Sequence, residues 1–190
     1  MKNGNVILIG ILSLFVLACG SEESKEFSVK DLDTIEKRIV FLDSILVIDQ
    51  KVRIDATEAQ QQFGYESKEH NFARERMEEV DSLNLEVIHE YLKTFDYPSE
   101  EDYGRDANRA LWMVIHHAPS GYGRDYRDEN MPYLLKAWKR GNLKDSDFSF
   151  FLNRMYRKRF GESFTFEGSM KVTNEIDTLL VLMNYKKIKL

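Results

Sequence analysis

Four side chains interrupt or border the apolar faces of an otherwise regularly patterned chain: Asp49, Arg53, His117 and Arg154. Asp49 and Arg53 stand where the seam Leu32, Ile35, Ile39, Leu42, Leu46 calls for its next two apolar residues. In a well-patterned helix such a break marks a buried ion pair or a site. The plainer account is a solvent-exposed i,i+4 pair, worth a few tenths of a kcal/mol. His117 closes a strongly apolar run at the edge of its face, and Arg154 borders the face made by Phe148, Phe151, Leu152 and Met155. A histidine, an acid and an arginine brought together inside a helical bundle could bind an anion or carry out general acid-base chemistry. Against that stands a structural role, in which a histidine at the end of a buried helix hydrogen-bonds a facing side chain, as buried polar groups must.

The other histidines make no metal site. At about 100° per residue His116 and His117 point apart, and ligands on one helix converge only at spacings of three or four. Glu86-Val87-Ile88-His89 matches the Glu-x-x-His half-site of di-iron bundles, whose carboxylate and imidazole share one face. A second half-site is required, and none of His70, His116 or His117 has a Glu three residues before it, so His89 is read as a surface residue. The chain also lacks a phosphate loop, a nucleophile elbow, a zinc cysteine set and a repeat. No metal and no cofactor are expected.

The elements that must position these residues are helices. Three prolines and ten glycines in 190 residues, with long runs of Leu, Ile, Glu, Lys and Arg, favour helix over strand. A first long helix is expected from Val29, then a break near residues 64–68, then a second helix over about 69–95. That second helix carries Phe72, Met77, Val80, Leu83, Val87, Ile88, Tyr91 and Leu92, and the two should pack antiparallel. Pro98 stops it. A central helix follows over about 105–118, where Ala107, Leu111, Val114, Ile115 and Ala118 recur on one face and Ala110 and Trp112 widen the stripe past half the circumference. Pro132 starts or kinks the next helix, with Leu134, Leu135 and Trp138 inward and Gly141 as its cap. A helix after Ser146 closes at Gly161, Ser163 to Phe166 reads as extended, and a last helix spans about 174–184. The expected fold is an all-α bundle of five to six helices with a long N-terminal hairpin.

Delivery is written at the start. Lys2, an apolar run from Val6 to Ala18 too short to cross a membrane stably, and then Cys19 make a signal peptide. The ending Val16-Leu17-Ala18-Cys19 resembles the lipobox of bacterial lipoproteins, which are cleaved before the cysteine and carry lipid on it. Cys19 is the only cysteine, so no disulfide competes for it. The expected division is a signal peptide over 1–18, a lipid-anchored polar tether over 19–28, and one helical domain over 29–190. Gly20, in place of an aspartate, resembles the sorting pattern of lipoproteins that leave the inner membrane, so the outer membrane is expected, on its periplasmic or its outer face.

Charge is unevenly spread. The whole chain carries a formal −5, whereas residues 121–160 hold ten Lys or Arg against five Asp or Glu. A basic face could meet anionic lipid, an unknown protein or a small anionic ligand, or complement the chain's own acidic first half. Nucleic acid is not expected as a partner outside the cytoplasm.

Read together, Asp49-Gln50-x-x-Arg53, Asp81-x-x-Asn84, Tyr97-Pro98, Gly104-x-x-Ala107, Trp112, His117-Ala118, Pro132-x-Leu134, Gly141 and Arg154 resemble the pattern of an uncharacterised bacterial family, a domain of unknown function. The resemblance spans roughly residues 32–168. It implies a helical fold and a shared polar set, Asp49, Gln50, Arg53, Asn84, His117 and Arg154, and supplies no reaction. The chain departs from the pattern at Asn153, where an Asp before the Arg is usual, and at Phe166-Glu167-Gly168-Ser169, where a Tyr-Gly-Thr-Gln-like segment is usual. The reading that follows is a lipid-anchored binding or interaction domain, with a hydrolase-like or small-anion-binding enzyme using His117, Asp49 and Arg53 as its rival.

Overall fold

A computed structural model describes residues 28–118, 126–165 and 171–188. The expected signal peptide, Cys19, all but the last residue of the expected tether, and the Phe166 to Ser169 stretch lie outside the described residues. The described residues form an all-α bundle: α1 (Ile35–Phe63), α2 (Lys68–Phe95), α3 (Glu100–Tyr103), α4 (Arg105–His117), α5 (Tyr126–Lys139), α6 (Asp145–Phe160) and α7 (Val172–Leu182). Short 3-10 turns stand at Val29–Asp31 and Tyr185–Lys187. The helix beyond the expected five to six is α3, a single turn between the Ser99 cap and Gly104.

The first long helix begins later than its pattern suggests. Thr34 accepts the amide of Lys37 on its hydroxyl and starts α1, so Val29 and Leu32 are buried ahead of it in a separate turn. The seam then holds through Leu42 and Leu46, but Ile35 is exposed. At its far end Gly64 turns the chain at φ +92°, a conformation costly for other residues, and Ser67 caps α2 by accepting the amide of His70. Here too the pattern overcounts: Phe72 and Leu83 face solvent, while Val80, Ile88, Tyr91 and Leu92 are buried.

Helix α4 is the centre. Every residue from Ala110 to His116 is buried, and the helix packs against both α1 and α2. Its start is fixed by a latch on the Tyr97-Pro98 turn. The Asn108 side-chain amide donates to the Pro98 carbonyl at 2.9 Å and the Asn142 carbonyl at 2.8 Å, and the buried Tyr97 hydroxyl donates to the Asn108 carbonyl at 2.8 Å. Asp96 ties the same corner to α5 by accepting from Lys136 at 2.5 Å and Arg140 at 2.8 Å. These polar partners are spaced by tens of residues in sequence.

The second half packs around the same helix. Pro132 does not start α5: it lies inside it, where it withdraws one intrahelical donor. Leu134 and Leu135 are buried, and Trp138 is half-buried against Phe148. Gly141 at φ +78° turns the chain out of α5, and Gly161 caps α6 in the left-handed region. Phe148, Phe151, Leu152 and Met155 of α6 join Ile176 and Leu179 of α7 in one continuous core with Leu42, Ile88, Leu111 and Met131. Val52, Ala56 and Val80 of the hairpin are buried but lie outside that cluster. The main apolar core therefore stops where α4 stops, and the polar residues occupy that boundary.

Candidate functional site

Asp49, fully buried on α1, faces the last residue of α4. Both its carboxylate oxygens lie 3.1 Å from His117 Nδ1. An ionised carboxylate only accepts, so His117 donates from Nδ1 and its Nε2 is left for other partners. Gln50 Nε2 donates to Asp49 Oδ2 at 2.7 Å. Arg53 sits 3.5 Å from Asp49 Oδ1, donates to the Asp49 main-chain carbonyl at 3.0 Å, and reaches across to Asp81 Oδ1 on α2 at 2.7 Å. One arginine thus bridges two buried acids, and one acid joins α1 to α4.

The two acids differ in their surroundings. Burial alone would raise Asp49, but the hydrogen bond and charge of His117, the charge of Arg53 and the Gln50 amide together hold it below the ordinary carboxylate value. For Asp81 burial prevails over the pull of Arg53 and raises it. Asn84, one turn further along α2, is buried and its Nδ2 has no hydrogen-bond partner among the described residues.

Arg154 joins the other histidine. Its Nη1 lies 3.1 Å from His116 Nε2, and a guanidinium cannot accept, so that nitrogen carries the lone pair and the imidazole is neutral. His116 Nδ1 is buried and has no hydrogen-bond partner among the described residues. Its ring stacks on Phe150 at 4.8 Å and 21° and meets Trp112 edge-on at 5.9 Å. Burial, with the charges of Arg154, His117, Arg127 and Arg53, pushes the His116 pKa down to about 3. Arg127, buried in the first turn of α5, donates from Nε and Nη2 to the His116 carbonyl at 3.2 and 3.1 Å. That carbonyl belongs to the last turn of α4, where the helix leaves acceptors unfilled and favours a cation. Arg127, Arg154, Arg157 and Lys158 line an open cleft of about 340 Å³.

The polar set implied by the resemblance therefore divides. Asp49, Gln50, Arg53 and His117 form one contact network; Arg154 belongs to a second, reached through His116; Asn84 makes no hydrogen bond to either from its amide nitrogen. Asn153, the departure before Arg154, donates to Glu175 on α7 at 2.6 Å and to Ser149, so it braces α6 rather than the arginine. His89 is not a surface residue: it is half-buried, with Nδ1 2.8 Å from Asn130 Oδ1, and links α2 to α5. Among the described residues no three His, Cys, Asp or Glu side chains converge as metal ligands. Two of these residues are not read as site residues from the sequence: His116 is weighed only as a metal ligand, and Arg127 is not considered. An arginine in the first turn of a helix, where a cation is unfavourable, was the available signal for the second. No family model matches the chain, and comparison with curated proteins and with solved structures found no match.

Proposed function

We propose that this chain is a binding domain of the bacterial cell envelope, held at the outer membrane by lipid on Cys19. In this reading the Asp49, Arg53 and His117 network holds helices together, and the ligand, a protein or a small anion, is met on the neighbouring surface. The observation that supports it is the mutual engagement of the buried polar groups. Asp49 already accepts from His117 and Gln50, and Arg53 already serves both Asp49 and Asp81. Groups so committed stabilise a bundle, and a ligand would have to displace those contacts.

One observation favours a second reading, a hydrolase-like enzyme. With Nδ1 donated to a buried carboxylate and its side chain 15% exposed, His117 has the hydrogen-bond arrangement of a general base, its Nε2 lone pair uncommitted to Asp49. A panel of chromogenic carboxylate and phosphate esters separates the two. The binding reading expects no turnover beyond that of His117→Gln. Turnover by the wild type that disappears in a folded His117→Gln protein would establish the enzyme.

A further inference from the structure

We propose that the cleft lined by Arg127, Arg154, Arg157 and Lys158 is a binding site for a phosphate-class oxyanion, with α6 supplying its exposed wall. The inference rests on the binding reading and names the chemistry of its ligand.

Four cations line one depression, and three of them, Arg154, Arg157 and Lys158, stand on α6. Among the described residues neither Arg154 nor Arg157 forms an ion pair with a carboxylate, although surface pairs stand elsewhere on the domain. Arg154 is half-buried, and its recorded side-chain partner is a neutral imidazole. His116 adds no charge of its own: buried and surrounded by guanidinium groups, it stays neutral. Burial and the repulsion of Arg157 and Arg53 outweigh the pull of Asp81 and lower the pKa of Arg154, a cation held close to other cations. An anion entering beside Arg154 and Arg157 meets donors already in position.

The geometry of those donors is built, not incidental. Arg127 is only 2% exposed, and two of its nitrogens are fixed on the His116 carbonyl, so its guanidinium plane is set by the end of α4. Arg154 is set by the imidazole of the same residue. One residue thus orients two arginines, its carbonyl holding one and its ring the other, while Phe150 covers that ring from the solvent side. Arginine forks suit tetrahedral oxyanions because two parallel N–H donors match two oxygens. Phe150, Arg154 and Arg157 follow one another at spacings of four and three, so one face of α6 presents an exposed ring and two guanidinium groups in a row. The volume lies at the lower end of the roughly 300–1,000 Å³ typical of small-molecule sites.

The chemistry is that of a phosphate group, which a free phosphate or a phospholipid headgroup could bring. The test uses the full mature lipoprotein in neutral detergent, titrated calorimetrically with inorganic phosphate at ionic strength held constant with sodium chloride. In parallel, the detergent-free protein is floated with phosphatidylcholine vesicles with and without phosphatidylglycerol. The proposal expects saturable binding in at least one arm, weakened about tenfold by Arg157→Gln, as loss of one charge-assisted contact implies. Arg154→Gln should weaken it at least as much, and Arg154→Lys should restore part of it. Lys139→Gln, an exposed lysine of α5 outside the cleft, should change nothing. Arg157 is exposed and its side chain makes no hydrogen bond or ion pair among the described residues, so its variant folds and keeps the test open even if Arg154→Gln does not. A phosphate response identifies a soluble anion, and a response confined to phosphatidylglycerol identifies the headgroup. Absence of binding in both arms, or binding equally reduced by Lys139→Gln and Arg157→Gln, overturns the site. Either result leaves lipid attachment at Cys19 to stand or fall separately, so failure of the site and failure of the anchored-domain reading are distinguishable.

Discussion

Asp49→Ala should be among the most destabilising single substitutions in the domain. The carboxylate is fully buried, and its removal leaves the His117 Nδ1 donor and the Gln50 amide without their acceptor and takes one of two acids from Arg53. Breaking a buried charge pair by deleting one partner costs roughly 3–5 kcal/mol. Arg53 keeps its 2.7 Å contact with Asp81 and is 21% exposed, which places the expected loss near the lower end, about 3 kcal/mol. For a domain of this size that lowers Tm by roughly 6–12 °C. Urea unfolding followed by circular dichroism at pH 7 measures the loss, and a double-mutant cycle with His117→Ala isolates the pair. Coupling of about 1–3 kcal/mol is expected, because the second substitution removes a partner already lost. Single variants as stable as the wild type, with coupling near zero, would refute the assignment of these groups to the helix junction.

Other outcomes follow from the same reasoning. Leu111→Ala, at a fully buried position of α4, should cost about 2–5 kcal/mol, and an unchanged Tm would remove that helix from the centre of the fold. Because burial and surrounding cations hold His116 near 3 in the folded state against 6.5 in a free chain, the unfolded state binds the extra proton as pH falls below 6.5. His116 therefore contributes stability that is present above that pH and lost toward 3, by at most about 1.4 kcal/mol per pH unit. Asp49, held low, loses its contribution only at more acidic pH, and Asp81, held high, acts in the opposite sense. Unfolding midpoints between pH 6.5 and 4.5 should thus fall less steeply for His116→Gln than for the wild type; identical slopes would contradict the buried, neutral histidine. Cys19→Ala should abolish incorporation of a fatty-acid analogue and release the protein from the membrane fraction, and a wild type that takes up no label would dismiss the lipid anchor.

What the sequence made legible was periodic. Helix α4 follows its apolar spacing almost to the residue, since a stripe covering most of a helix can only be satisfied by burial on all sides. The break at Asp49 and Arg53 was visible for the same reason: a regular seam makes an exception conspicuous. Boundaries set by single side chains were not visible in this way. Thr34 rather than Val29 starts α1 because a hydroxyl captured one amide, and the Pro132 ring is accommodated inside α5. Nor does spacing within one helix say how far a face is covered, so Phe72 and Leu83, which fit the apolar pattern of α2, are exposed where the neighbouring helices do not reach. The second half of the site was hidden for a further reason. His116 serves through its carbonyl and through an imidazole lone pair, and a main-chain acceptor leaves no trace in residue type. Likewise His89, legible as half of a metal motif, is taken by Asn130 from a helix 41 positions away.

The central claim is that the ligand is met at the arginine cleft, while His117 serves the junction of α1 and α4. It is tested most directly by titrating the folded protein with inorganic phosphate, or with phosphatidylglycerol vesicles, in two variants side by side below their melting temperatures. The account predicts that His117→Gln binds within about twofold of the wild type although less stable, and that Arg157→Gln binds about tenfold more weakly although as stable as the wild type. The reverse, with affinity lost in His117→Gln and kept in Arg157→Gln, would contradict it.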